Sequence, residues 1–330
     1  MEQTSEFGVD EPRWHAMLSR DEMRELLEMH DLRSWFSLAV DWGLIAAAMA
    51  LVAQRPGFVT IVLALAVIGA RQLGLAVLMH EASHRSLFHN RVVNDFVGQW
   101  LCAYPVWSDL EGYRKVHLQH HAWTGTDKDP DLGLITPFPI TPASLRRKIW
   151  RDLSGQTGRK FARAAWKRTA GRWSVDPGAR RAMVGFATTN LVLLAILTAL
   201  GHPALWLLWA LAWLTTNTLV TRIRAIAEHA LTPQHLPEPR GKTRTTIARW
   251  WERFLVAPNM VNYHLEHHLL MMVPHYNLPR MHRLLDERGL LEGACIDIGY
   301  PVILRRAAQR SSAPTPGEAR DRPPVDLPPF

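Results

Sequence analysis

Half of the sixteen histidines in this 330-residue chain fall in three short runs. They are HEASH (His80, His84), HLQHH (His117, His120, His121) and HLEHH (His264, His267, His268). Neutral imidazole is a ligand that suits iron, zinc and copper. Residues three and four apart share a helix face, so each run is expected to aim its rings in one direction. Zinc normally takes four ligands and other metals rarely more than about six, so eight rings imply two metals. A ninth ring, His229 in RIRAIAEHA, is placed to join them. The other seven (His15, His30, His89, His202, His235, His275, His282) are expected to hydrogen-bond at a surface or in a core.

Four apolar stretches supply the scaffold: about 35–53, 58–79, 183–200 and 204–221. Each approaches the roughly 20 residues that cross a bilayer, and none has the polar face of a soluble helix. The connectors QRPG and GHP are so short that the spans must pair as two antiparallel hairpins. Basic residues crowd the segment between the hairpins (Arg146, Arg147, Lys148, Arg151, Arg159, Lys160 and others), which places it and both termini in the cytoplasm. Every histidine run follows a span on that same side. The expected architecture is therefore an all-α integral membrane protein of four transmembrane helices in two hairpins. A cytoplasmic helical cap would hold a histidine-rich di-metal site.

The remaining segments read as accessories. Residues 1–34 are polar, and SRDE (Ser19 to Glu22) has the form of a capping box opening a short helix that runs to His30; no cleavable signal peptide is visible. The stretch 92–107 is apolar but short and is expected to dip into the interface. Residues 145–173 mix aromatic and basic residues and suit a helix lying on the membrane surface. From about 306 onward, Pro, Arg and Ala without periodicity predict disorder. The domain plan is thus 1–34, a membrane domain over 35–290, and a C-terminal segment 291–330. The formal charge of +8 points to an anionic partner; the hydrophobic spans favour the anionic leaflet or an acidic protein, and nucleic acid is not expected. Two cysteines fit neither a disulfide framework nor a thiolate metal site.

With three runs of the forms HxxxH, HxxHH and HxxHH in this order, the chain resembles the membrane fatty acid desaturase and hydroxylase superfamily over roughly residues 35–290. HHAWTGTDKDPDL and NYHLEHH…VPHYNLP are similar to bacterial members, which implies the bacterial inner membrane. The resemblance implies two irons held by the histidine boxes with His229 as a further ligand, O2 as co-substrate, and insertion of a double bond into a fatty acyl chain. Members of the family carry an asparagine one turn before the additional histidine. Ala225 stands there here, leaving Asn259 or Asn262 to serve instead.

Carboxylates beside the rings are expected to orient them and offset the metal charge: Glu81, Glu228 and Glu266, with Asp127, Asp129 and Asp131 after the second run. No flavin, nicotinamide, iron–sulfur or haem motif is visible, so electrons must come from a separate donor of ferredoxin, rubredoxin or cytochrome b5 type, drawn by basic residues such as Arg114 and Lys115. Arg71 lies inside the second span, where a charge must snorkel, meet a carboxylate or meet a polar substrate group. Two rival chemistries stand beside desaturation. One is hydroxylation of a lipid, hydrocarbon or carotenoid. The other is an intramembrane zinc protease using HExxH (His80, Glu81, His84), which leaves the two HxxHH runs without a task.

Overall fold

The computed structural model describes residues 18–135, 137–233 and 240–309. Helices dominate it. In chain order they are α1 (Arg20–Leu27), α2 (Asp31–Gln54), α3 (Phe58–His84), α4 (Arg91–Val97, continuing into a π-helical turn at Gly98–Ala103) and α5 (Leu110–Trp123). Then come α6 (Leu132–Ile135), α7 (Pro142–Leu153), α8 (Gln156–Arg168), α9 (Pro177–Ala199), α10 (Trp206–Leu214) and α11 (Thr216–His229). The C-terminal third adds β1 (Thr245–Ile247), α12 (Trp250–Leu255), α13 (His264–Leu269), α14 (Leu278–Glu287), β2 (Ile296–Ile298) and α15 (Tyr300–Ala307). The two three-residue strands pair in parallel, Thr245 opposite Ile296.

Four helical stretches are long and apolar enough to cross a bilayer: Arg20–Gln54, Phe58–Ser83, Pro177–Ala199 and Pro203–His229. Their outer faces expose residues such as Phe36, Val59, Leu191 and Leu207, each more than 60% accessible. Such a surface is stable against lipid and not against water. Inward, Leu38, Ile45 and Met49 of α2 pack with Ile68, Leu75 and Leu78 of α3 and with Trp209 of α10. The fourth stretch is not one straight rod. It breaks at Thr215 (φ −122°, ψ −83°), dividing α10 from α11.

Close approach explains the packing of α3 on α11. A Cβ on Gly69 would lie 2.1 Å from Thr216 Oγ1 and 2.7 Å from the Asn217 backbone nitrogen, so only glycine fits. Thr216 Oγ1 donates to Leu65 O at 2.6 Å across the same seam. Arg71, further along α3, does not snorkel. Its Nη1 donates to Asp41 Oδ1 of α2 at 3.1 Å, with Arg71 and Asp41 only 5% and 0% accessible. Asn259 donates to Asp41 Oδ2 at 2.8 Å and to Gly74 O at 3.0 Å.

The expected surface element 145–173 resolves into α7 and α8, broken at Gly155 (φ 74°). The interfacial stretch at 92–107 is α4 with its π-helical turn and a short 3-10 turn at Tyr104–Val106. The capping box is present: Ser19 N–H donates to Glu22 at 2.8 Å, and Glu22 N–H donates to Ser19 Oγ at 3.2 Å. That helix ends at Leu27 rather than His30 and packs Leu26 against Met281 and Leu285 of α14. Disorder from 306 meets a boundary here, because Arg306 and Ala307 form the last turn of α15; residues 310–330 lie outside the described residues, as do His15 and His235.

Candidate metal centre

The last turn of α3 delivers His80 and His84, α5 delivers His117, His120 and His121, α11 ends on His229, and α13 carries His264, His267 and His268. Polar side chains lock these four ends together. Arg114 on α5 donates through Nε to Ser83 O (3.0 Å) and through Nη2 to Ala82 O (3.0 Å), closing the orphan carbonyls of α3. It also pairs with Asp95 at 2.5 Å. Arg114 is therefore a structural tie and not part of a free basic face for a donor. Fully buried Arg244, before β1, donates to Ala227 O and Leu231 O at 2.8 and 3.1 Å and pairs with Asp297 at 2.9 Å. That holds the end of α11 where His229 sits. Before α13, Asn259 and Met260 both adopt left-handed backbone (φ 51° and 58°), turning the chain sharply into the third run.

All nine rings meet, but in two groups. His80, His84, His117, His121 and His267 form one, and His120, His229, His264 and His268 form the other. Within each group the available ligand atoms all lie within 4.8 Å of one another. The expectation that each run aims at a single point is corrected here: both HxxHH runs split between the groups. At about 100° per residue, rings at i and i+4 stay about 40° apart and share a group, as with 80/84, 117/121 and 264/268. The extra ring of each doublet swings to the other side. The groups abut through His121 and His268, stacked with centroids 4.1 Å apart.

The ring nitrogens fit a cation better than they fit each other. His117 Nε2 lies 2.9 Å from His84 Nε2 and 3.0 Å from His121 Nε2, which in turn is 3.0 Å from His267 Nε2. His264 Nε2 and His229 Nε2 are 2.8 Å apart. Each such nitrogen carries one hydrogen or one lone pair, so a string of four in mutual contact leaves its inner members shared. Lone pairs converging on one ion would resolve this. Buried ring nitrogens of His80 (Nε2), His84 (Nδ1), His267 (Nδ1) and His268 (Nε2) also lack a hydrogen-bond partner among the described residues. Burial, reinforced by the neighbouring imidazoles, holds His117, His264, His267 and His268 well below the usual histidine range. They are thus neutral, the state a metal requires.

Behind the rings stand carboxylates. His120 Nδ1 is 2.8 Å from Asp129 Oδ1, with Asp131 at 3.7 Å. Asp129 is anchored by N–H donation from Gly125 (2.7 Å) and Asp131 (2.8 Å). His80 Nδ1 is 3.2 Å from Glu81 Oε1, and Glu81 Oε2 accepts from the backbone N–H of His275 at 2.9 Å. Glu81 is thus tied behind its histidine, not poised as a protease base. His264 Nδ1 lies 3.5 Å from Glu228, which is held by Arg224 at 2.5 Å.

Three expectations placed partners where the structure does not. Glu266 turns from the rings to His282 (2.6 Å) and Thr245, because position 266 of α13 faces α14. Asn262 donates to Thr246 O at 2.9 Å and Asn259 is committed to Asp41, so neither replaces the asparagine absent at Ala225. Asp127 is exposed. Sequence reading missed His275 and His282 as carboxylate partners; the nearby VPHYNLP stretch was the available signal. As an expected outcome, Asp129→Asn weakens metal retention about 10–100-fold by loosening His120, read as metal content after graded chelation, while the unfolding temperature changes little.

A cavity of about 570 Å³ opens onto rings of both groups, touching His117, His120, His229 and His264. Trp107, Tyr113, Ala182 and Phe186 give it apolar wall, while Glu111, Arg168, Arg172, Asp176, Arg181 and Arg224 charge the rest. Most of these charges are matched: Arg181 with Glu111 at 3.1 Å, Arg172 with Asp176 at 3.5 Å. Arg168 has no carboxylate partner among the described residues.

The chain is similar to several known proteins. Among relatives, dihydrorhizobitoxine desaturase of Bradyrhizobium elkanii is 26% identical, covering 86% of this chain and 85% of that protein. The sn-1 oleoyl-lipid 12-desaturase of Synechocystis sp. is 26% identical over 80% of this chain and 79% of its own length. The chloroplastic omega-6 fatty acid desaturase of Spinacia oleracea is 23% identical over 80% of this chain and 62% of its own. The family described as fatty acid desaturase matches residues 56–294, from the start of α3 past α14. That reach takes in all nine clustered histidines, and the chain belongs to the fatty acid desaturase family, as an oxidoreductase of desaturase type.

Proposed function

We propose that this protein is a membrane-bound, O2-dependent di-iron desaturase acting on a fatty acyl chain. The observation that carries the reading is the division of nine clustered histidines into adjoining groups of five and four, both opening onto one cavity. In this reading, His80, His84, His117, His121 and His267 hold one iron, and His120, His229, His264 and His268 the other. The irons supply the redox chemistry with O2 that an unactivated C–H bond demands.

The chain's own residues prepare the site. Asp129, Glu81 and Glu228 fix ring orientation and return negative charge to an all-imidazole ligand set. Burial of the rings excludes water from the reacting centre. Tyr113, stacked on His117 with centroids 5.0 Å apart, and Trp107 form the wall along which the acyl chain lies beside the rings. Removing two hydrogens and reducing O2 to two waters needs two electrons and two protons besides. They come from a separate ferredoxin, rubredoxin or cytochrome b5-type donor. In the topology we infer, residues 35–290 form the membrane domain. Its four spans make two hairpins, with the site and both termini cytoplasmic at a bacterial inner membrane.

A second reading keeps the chemistry and changes the substrate. The relative covering 85% of its own length is named for dihydrorhizobitoxine, not for a lipid. Charged cavity walls, with Arg168 unmatched, favour a compact molecule bearing an anionic group. Mass spectrometry of both lipids and soluble metabolites from cells expressing the chain, beside cells expressing His121→Ala, decides. Loss of two hydrogens from acyl lipids supports the first reading, and loss from a polar metabolite alone supports the second. A gain of one oxygen in either pool makes the protein a hydroxylase and defeats desaturation.

A further inference from the structure

A second cavity, of about 180 Å³, lies away from the histidines between α7, α8 and α11. Lys148, Arg151 and Arg222 line it, together with Thr157 and Thr221, and Lys160, which has an interaction of its own, stands at its wall. The carboxylate at this place, Asp152, is completely buried and already committed. It takes Arg222 through both oxygens at 2.5 and 2.8 Å and accepts from Thr157 Oγ1 at 2.6 Å. No carboxylate among the described residues pairs with Lys148 or Arg151. Burial and then the charges of Arg222 and Arg151 press the Lys148 ammonium below the usual lysine range. Like charges gathered at one recess repel one another, and an anion that enters it relieves the repulsion.

The setting says which anion. On the same two helices Trp150 and Trp166 are 67% and 56% exposed, and Leu153 is 44% exposed. Exposed indoles beside basic residues mark the depth of lipid headgroups. The cavity's other wall is α11, the lower half of a helical stretch apolar enough to span the bilayer. A recess at that depth, cationic and walled by threonine hydroxyls, has the chemistry to take a phosphodiester.

We propose that this recess binds the phosphate of an anionic phospholipid, clamping the surface helices α7 and α8 to α11. The site does not depend on what the histidine centre oxidises. Occupancy joins Lys148 and Arg151 of the α7 end to Arg222, two residues before Arg224, which holds Glu228 beside His264.

The test uses the iron-loaded full chain in detergent, titrated with phosphatidylglycerol or phosphatidylcholine and followed by native mass spectrometry. One phosphatidylglycerol should be retained per chain, about tenfold or more in preference to phosphatidylcholine. Lys148→Gln/Arg151→Gln should lower that retention about tenfold. Arg163→Gln/Lys167→Gln, with the same charge change on exposed positions of α8 outside the recess, should lower it less than about twofold. Unfolding temperatures of both double variants establish that each is folded. Equal losses in the two variants, or no preference between the lipids, overturn the proposal. So does displacement of the lipid by millimolar inorganic phosphate, which makes this a site for soluble phosphate. Unchanged lipid retention with loss of binding to an acidic ferredoxin makes the recess a protein dock and overturns it as well.

Discussion

Alanine at His264 should leave a protein that folds, inserts, and keeps about half of its metal. The variant removes one ring from the group of four (His120, His229, His264, His268) and none from the group of five. His84→Ala should do the reverse. Metal affinity rests on the number of neutral ligands that converge without reorganisation, and a four-ring group reduced to three loses more than a five-ring group reduced to four. Metal content near one per chain is therefore expected for His264→Ala. His84→Ala should retain both ions at high metal and release one under mild chelation. Turnover should vanish in both, by far more than the about 10–100-fold attached to loss of an outer carboxylate, since substrate in the cavity meets rings of both groups. Full loss of both metals in His264→Ala, with the fold intact, would refute two separable groups. Near-normal turnover in either variant would sink the metal centre itself.

That division was readable in the sequence and still escaped a simple facing rule. The spacing HxxxH, and the outer pairs of the two HxxHH runs, put i and i+4 on one side; the ring at 120 or 267 then has to point elsewhere. Other parts of the site depend on long-range packing. Nothing local to HLEHH indicates that Glu266 faces His282 of α14 rather than a metal ligand, because both helix faces at that position are buried. Likewise Arg114 reads as one more cation beside Lys115, yet consecutive residues on a helix point about 100° apart, so one can turn inward while its neighbour stays exposed. Here it closes the carbonyls of α3. The apolar stretches were legible since length and composition suffice for them, whereas the break at Thr215 lies where α8 packs on α10 from far along the chain, Gly158 abutting the Leu214 backbone.

Asp41→Ala is expected to cost about 3–5 kcal/mol, the loss that follows when one member of a buried ion pair is deleted and its partner stays charged. Arg71 would keep only the Phe254 carbonyl and the face of the Phe254 ring, 5.3 Å from its guanidinium carbon. A cation so placed within an apolar span has no water to turn to. The damage should also reach the metal centre. Asp41 is the charged one of the two acceptors that orient Asn259, and Asn259 with Met260 makes the left-handed turn that launches the third histidine run. Denaturation in detergent should therefore show a lower midpoint, and metal content should fall even where the helices remain formed. Removing both charges, as Asp41→Leu/Arg71→Met, tests the two effects apart: stability should largely return, since an apolar pair of similar volume avoids the desolvation penalty. Metal retention should not return, because Asn259 still lacks the Asp41 carboxylate and is left with Gly74 O alone. A double variant that regains stability and full metal together would mean that the pair serves only to close α2 on α3, with no hold on the turn before His264.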